Sequence, residues 1–350
     1  MRVARRRPRS PAPMSLLDQF DFPALRELLG DMGADGWLLY DFHGINPAAT
    51  RVLGINGMGT RRFFVLLPRE GQPVALAHRI ELASFDGFPG EVRPYAAWRE
   101  LHDKLRALVA GKTVAMEVSP ADAVPYLDRV PHGVVELIEG FGARVVSSGA
   151  LITRFAARWS ASELAGHRRA AQAIAGIAAE ALRWAGSELA RGAEVRETTV
   201  QARVMDAYAR VGLVTDHPPI VGFQANSANP HDARDAAVAL LRERWMNKEP
   251  VTGAALDDAA RAVITKAGFG EYFVHRTGHS IDRDLHGSGP HLDNFETADE
   301  RTVIAGVGFS VEPGIYLPGR FGMRTEINVF VEETGPLVTP AEPQQELFLV

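Results

Sequence analysis

The chain has 350 residues, 46% of them apolar and 23% charged, with a net charge of −5 and no cysteine. That length allows two domains, or one large one, around a sizeable buried core. The composition excludes disulfides, cysteine nucleophiles and thiolate metal sites, and gives no ground for non-specific nucleic-acid binding. Any metal must therefore sit on imidazole and carboxylate groups, which selects hard or borderline ions. No apolar run approaches the about 18 residues of a membrane span. Neither nucleic acid nor membrane is expected as a partner, and a cytoplasmic location is expected.

Met1–Pro13 carries five arginines and three prolines without an acid. Such a run buries too little apolar surface to order, so it is expected to be a disordered basic tail, with Met14 as an alternative beginning. From residue 14 to about 150, short β runs alternate with amphipathic stretches. Strands are expected at Trp37–Tyr40, Phe63–Leu67, Val74–Ala77, Thr113–Glu117 and Arg144–Val146. Helices are expected at Phe22–Leu29, Trp98–Val109 and Val134–Phe141. The pattern is that of an α/β domain. Its loop residues Asp41, His43, Asn46 and Asn56 could line a pocket, although structural roles are the more economical expectation.

Residues 151–350 read as a second domain. Ser160 and Glu163 form a capping-box signal for a long helix reaching about Trp184. A further helix is expected at Glu197–Val211, followed by a strand at His217–Phe223 and a turn that presents His231 at a loop tip. Ala233–Met246 and Thr252–Ala267 carry apolar residues at three- and four-residue spacing and are expected to be helical. Beyond Glu271 the chain turns strand-rich.

The chemistry concentrates between His275 and Asn328. Over Phe309–Val331, alternation places Ser310 and Glu312 on one strand face and Phe309 and Val311 on the other. Farther on, Arg324, Glu326 and Asn328 share a face. Carboxylates inserted among apolar strand residues are costly unless paired or bound to a cation. Arg324 can pair one of them, and an ion held together with His279 can satisfy both. Each residue alone also fits a plain structural ion pair or a satisfied core histidine.

Together, His275-Arg-Thr-Gly-His279, His286, Glu312-Pro-Gly-Ile-Tyr316 and Arg324-Thr-Glu326 resemble the Xaa-Pro aminopeptidase and prolidase family, the creatinase-like pita-bread metallopeptidases. The segment Pro218–His231 resembles that family's upstream histidine motif. The resemblance implies an α/β N-terminal domain and an α+β pita-bread domain with a curved antiparallel sheet. It implies hydrolysis of a peptide bond next to proline by a water activated between two divalent ions (manganese, cobalt or zinc), in a homodimer. Its five ligands run Asp, Asp, His, Glu, Glu. His279, Glu312 and the bridging Glu326 match the last three, His231 and His286 match the histidines that hold the substrate, and Arg324 matches an arginine beside the bridging glutamate.

One departure stands out. The 48 residues from His231 to His279 are less than half of what the resemblance implies, and Asp232 and Asp235 suit a helix start instead of two strand ligands. Both aspartates are missing, and with them strands of the sheet, near residues 231–232. At most one weakly bound ion is expected on His279, Glu312 and Glu326. Two functions follow as expectations: a peptidase impaired in catalysis, or a non-catalytic module that binds a peptide or partner. A serine hydrolase is disfavoured because Asp282 replaces the last glycine that a Gly278–Asp282 nucleophile elbow needs. Gly306-Val-Gly308 lacks the third glycine of a dinucleotide site.

Overall fold

A computed structural model describes residues 17, 20–55, 59–215, 217–219, 221 and 231–343. The chain divides into two compact units: residues 1–120 with 127–151, and residues 121–126 with 152–350.

The first unit is built on a six-stranded mixed sheet. Its strands are β1 (Gly36–Asp41), β2 (Phe63–Pro68), β3 (Val74–His78), β4 (Glu91–Tyr95), β5 (Thr113–Met116) and β6 (Arg144–Ser147). They lie in the order β4-β3-β2-β1-β5-β6, with β1 antiparallel to β2 and parallel to β5. Helices α1 (Phe22–Asp31), α2 (Pro47–Leu53), α3 (Trp98–Val109) and α4 (His132–Gly140) complete it, and α5 (Gly149–Phe155) runs across the boundary at Leu151. β1 and most of β2 are buried along their length, so they read as continuous apolar runs and not as alternating ones. Leu101, Leu105 and Leu108 of α3 pack with Leu38, Phe64 and Leu76 of the sheet in one apolar cluster.

Two of the polar residues expected in loops of this unit, Asp41 and Asn46, have structural roles. Asp41 accepts from the backbone N–H groups of Gly44 (3.0 Å) and Asn46 (2.8 Å). Asn46 caps α2 and donates to Glu117. Asn56 lies outside the described residues.

In the second unit, α6 (Ala161–Ala190) begins at Ser160 with the capping box intact and runs six residues past the expected end. α7 (Glu197–Arg210) packs on it through Ala181, Ala185, Val200 and Val204. Next come α8 (His231–Asn247) and α9 (Gly253–Lys266), which is capped by Thr252. His231 is therefore the first residue of α8 and does not sit at a loop tip, because Asp232-Ala-Arg-Asp235 extends the helix N-terminally. The strand expected at 217–223 is not seen at 217–219 or 221, and its other residues lie outside the description.

The remaining strands are β7 (Ser280–Ile281), β8 (Gly308–Val311), β9 (Gly314–Leu317), β10 (Phe321–Arg324), β11 (Ile327–Glu332) and β12 (Gly335–Thr339). Four of them form an antiparallel sheet in the order β12-β11-β8-β7, and β10 pairs with β9 as a hairpin. Arg324 and Asn328 thus belong to different sheets. The chain leaves one ladder at Thr325, whose N–H donates to the Pro313 carbonyl at 3.3 Å. Phe309, Val311, Ile327, Val329 and Val331 form the core against α8 and α9. The opposite face of β8 and β11 is left for Ser310 and Glu312.

Candidate active site

Register builds the centre of the site. Ile327 pairs with Val311 and Asn328 with Ser310, so one further step of the same register sets Glu326 across from Glu312. On the other side of β8, the Glu312 N–H donates to the Thr277 carbonyl (2.7 Å) and the Ser310 N–H to the His279 carbonyl (2.9 Å). Ser310 Oγ accepts from the His279 N–H (2.9 Å) and donates to Glu312 Oε1 (3.0 Å). This close approach explains the glycine of Arg276-Thr-Gly-His279: a Cβ on Gly278 would overlap the Ser310 carbonyl. Gly314 has a similar role, since a Cβ there would meet Tyr316 Oη at 2.7 Å and His275 Nε2 at 2.9 Å. Its absence lets the Tyr316 hydroxyl donate to His275 Nε2, 2.9 Å away, while His275 Nδ1 donates to the Arg276 carbonyl.

His279 Nε2 lies 3.2 Å from Glu312 Oε1. The ring's other nitrogen, Nδ1, lies 3.0 Å from the Ser280 carbonyl, which can only accept. Nδ1 therefore carries the proton, and in the neutral ring the Nε2 lone pair faces a carboxylate oxygen. Desolvation holds the His279 pKa below its ordinary value and pushes that of Glu312 up, against the lowering pull of Arg324. Two lone-pair atoms in this arrangement call for a proton or a cation between them.

Arg324 reaches both carboxylates. One guanidinium nitrogen lies 3.3 Å from Glu312 Oε2 and another 3.1 Å from Glu326 Oε2. Burial would lower the arginine's pKa, but Glu326 and Glu312 outweigh it and raise it. The Glu326 side chain is 44% exposed, yet enough protein surrounds it that desolvation raises its pKa, with Glu312 adding to the shift.

His286 is exposed and stands edge-on to His279, with ring centroids 4.3 Å apart. Partial burial, then the neighbouring His279 and Arg276, lower its pKa to about 4. His231 begins α8, and its side chain lies outside the description. Among the described side chains the site joins His279, Glu312, Arg324, Glu326 and His286.

Supporting residues escaped sequence reasoning. Buried Asp257 accepts from the Thr277 N–H (2.8 Å), the Thr277 hydroxyl (2.6 Å), Arg261 and the Asn294 N–H (3.1 Å), which fixes the approach to His279. Its i,i+4 pairing with Arg261 on α9 is the signal that could have found it. Tyr126, far upstream, carried no such signal.

The geometry suits a divalent ion in part. Two ligands about 2.1 Å from one ion stand roughly 3.0–3.4 Å apart for angles between right-angled and tetrahedral. The His279–Glu312 separation fits one edge of such a shell. No three His, Asp or Glu side chains among the described residues gather as an ion would need, and Arg324 already engages both glutamates. Among the described residues the donor set fits part of a one-ion site.

Residues 232–333 match metallopeptidase family M24. The probable dipeptidase PepE of Mycobacterium tuberculosis is 46% identical over 85 residues, which are 24% of this chain and 22% of that protein. The Xaa-Pro dipeptidase of Lactobacillus helveticus is 43% identical over 79 residues, 23% of this chain and 20% of that protein. The aligned stretches span about a fifth of the length of these curated relatives. The crystal structure of dipeptidase PepE from Mycobacterium ulcerans superposes with a TM-score of 0.64 at 24% identity, covering 92% of this chain and 95% of that one. This likeness extends the pita-bread fold well beyond the stretch matched in sequence. Residues 232–333 thus match metallopeptidase family M24 in sequence, and over nine-tenths of its length the chain shares the fold of that dipeptidase.

Proposed function

We propose that this chain binds a proline-containing dipeptide or short peptide at the His279–Glu312 site and is impaired in hydrolysing it. The observation that carries this proposal is the Arg324 guanidinium, shared between Glu312 and Glu326 at 3.3 and 3.1 Å. It supplies in permanent form the positive charge that would otherwise have to come from bound ions. Neither of the two aspartates that the family resemblance leads one to expect lies between His231 and His279 at a ligand spacing.

A divalent ion, when bound in such a site, lowers the pKa of water and polarises the amide carbonyl. His279 offers it Nε2 and Glu312 offers Oε1, with the tautomer of His279 fixed by the Ser280 carbonyl. Arg324 keeps the two glutamates together in its absence. His286, neutral at physiological pH, can donate to the carbonyl oxygen of a bound peptide from one ring nitrogen. Removing the aspartates thus weakens water activation while leaving the groups that hold the substrate. Manganese, cobalt and zinc are all compatible with one histidine and one carboxylate, and a homodimer is part of the same proposal.

The test combines calorimetry and turnover on the full chain with glycyl-proline, with and without chelator, and with manganese added. Binding that survives the chelator together with background turnover supports the proposal. Robust manganese-dependent turnover overturns it in favour of an intact peptidase, and absence of binding in both conditions overturns it altogether.

A further inference from the structure

We propose that Tyr126 is the positioning residue for His286, setting the orientation of the imidazole that faces the substrate. The inference rests on the proposed peptide-binding role of the site. Ala121–Tyr126 lies in sequence between two parts of the first unit, yet it belongs to the second. Its backbone turns sharply at Ala121 and Asp122, with φ of 53° and 56°, and the Ala298 N–H donates to the Ala123 carbonyl at 3.1 Å. Val124 is buried. The segment is thus tied into the second unit by backbone and side chain.

Tyr126 ends this segment, half-buried, against a rigid platform. Its ring stacks on His291 at 4.2 Å and 28°. His291 is fully buried and held at two points: its N–H donates to Asp299 Oδ2 (2.8 Å), and its Nδ1 accepts from the Ser280 N–H (3.3 Å). The Tyr126 hydroxyl accepts from Arg276 Nη1 at 3.0 Å. The stack on His291 fixes the ring in position and tilt, with the hydroxyl bonded at its outer end.

His286 has no comparable anchor. It is exposed, and among the described residues no hydrogen bond holds its ring. Two edge-on aromatic contacts flank it: His279 at 4.3 Å and 73°, and Tyr126 at 6.3 Å and 83°. Edge-to-face pairs within this range of distances have a preferred geometry and a modest energy. An exposed imidazole held, among the described residues, by two such contacts loses its single orientation when one is removed. Tolerances for a group that must meet a carbonyl oxygen are about 0.5 Å and 10–20°, so the consequence falls on ligand binding and not on the fold.

The experiment uses the full chain, histidine-labelled for NMR at one fixed pH near neutrality, with the His286 ring signals assigned through His286→Gln. Tyr126→Leu is expected to double or exchange-broaden the His286 signals, lower glycyl-proline affinity about tenfold, and leave the zinc affinity within error. Tyr126→Phe keeps the ring and is expected to retain the native His286 signals. A single sharp His286 signal with native relaxation in Tyr126→Leu overturns the proposal. So does loss of the native signals in Tyr126→Phe, which would assign the effect to the hydroxyl. Should Tyr126→Leu not fold, Tyr126→Met replaces it with the same expectations. If the native chain does not bind glycyl-proline, the functional proposal fails, while the His286 signals still decide the role of Tyr126.

Discussion

His279 Nε2 and Glu312 Oε1 face each other at 3.2 Å, with the imidazole's other nitrogen already committed to the Ser280 carbonyl. In the metal-free chain this leaves two acceptors in opposition, a cost that a donor at the position of Oε1 would relieve. Glu312→Gln places an amide N–H there. It is expected to stabilise the chelator-treated protein by about 1 kcal/mol and to abolish any rise in thermal midpoint on adding zinc. Thermal denaturation of both proteins with and without zinc checks it; a drop in stability without metal contradicts the tautomer assignment.

Arg324 neutralises two carboxylates at once. Arg324→Met leaves Glu312 and Glu326 as uncompensated neighbours. Because the arginine side chain is 39% exposed, the loss is expected below that for a fully buried pair, at about 1–3 kcal/mol near neutral pH. Manganese is expected to restore more stability to this variant than to the native chain, since an ion can then take the place of the guanidinium. Denaturant titrations at fixed manganese concentrations measure both effects.

Gly278 lies where the segment leading to His279 passes close to Ser310 of β8. Gly278→Ala drives a Cβ into the Ser310 carbonyl and is expected to cost about 1–3 kcal/mol through overpacking. The displaced Ser310 would also release Glu312 Oε1. Loss of zinc binding beyond the loss of stability, read by calorimetry on the folded fraction, is the outcome that ties this glycine to the site.

Glu117 supplies a prediction of pH dependence in the first unit. The carboxylate is fully buried and accepts from Trp37 Nε1 (2.6 Å), Asn46 Nδ2 (2.6 Å) and Ser148 Oγ (2.9 Å). Desolvation raises its pKa, although these three donors pull it down. A carboxyl with a raised folded pKa binds its proton more tightly in the native state than in the unfolded one. Its stabilising contribution is therefore present below the unfolded pKa of about 4.3 and declines as pH rises toward the folded value. Glu117→Gln turns an N–H toward Asn46 Nδ2 and is expected to destabilise by about 1–3 kcal/mol, most at acid pH and less as pH rises. Urea unfolding of both proteins at a series of pH values tests the sign; a penalty growing with pH refutes it.

Much of the fold could be read in the sequence, because it rests on local signals. Five strands of the first unit announced themselves as β-branched or aromatic runs between turns. The α6 start was legible because Ser160 and Glu163 satisfy each other's backbone donors. β4 was missed because Glu91-Val-Arg-Pro-Tyr95 is polar and contains a proline, tolerated on this strand at the sheet edge. α2 was missed because it has only seven residues and its cap, Asn46, also fits a turn. Glu312 and Glu326 were legible as inward carboxylates through alternation, although the strand breaks at Thr325 and puts Arg324 in another sheet, while His279 was grouped with them through the family resemblance. What stayed hidden depends on long-range placement. Tyr126 meets Arg276 across 150 residues, and no local pattern marks either as a partner of the other. The shared grip of Arg324 on both glutamates likewise depends on the register between β8 and β11.

The Ala121–Tyr126 segment also governs how this protein can be divided. The chain passes from one unit to the other after Pro120, after Tyr126 and after Leu151. A fragment beginning at Ile152 would carry every ionisable group of the site yet lack the ring beside His286 and the backbone carbonyl that receives Ala298. A fragment ending at Leu151 would carry six residues that have nowhere to pack. The two halves are interlaced along the chain, so recombining one of them with a foreign partner requires moving a second, short piece along with it.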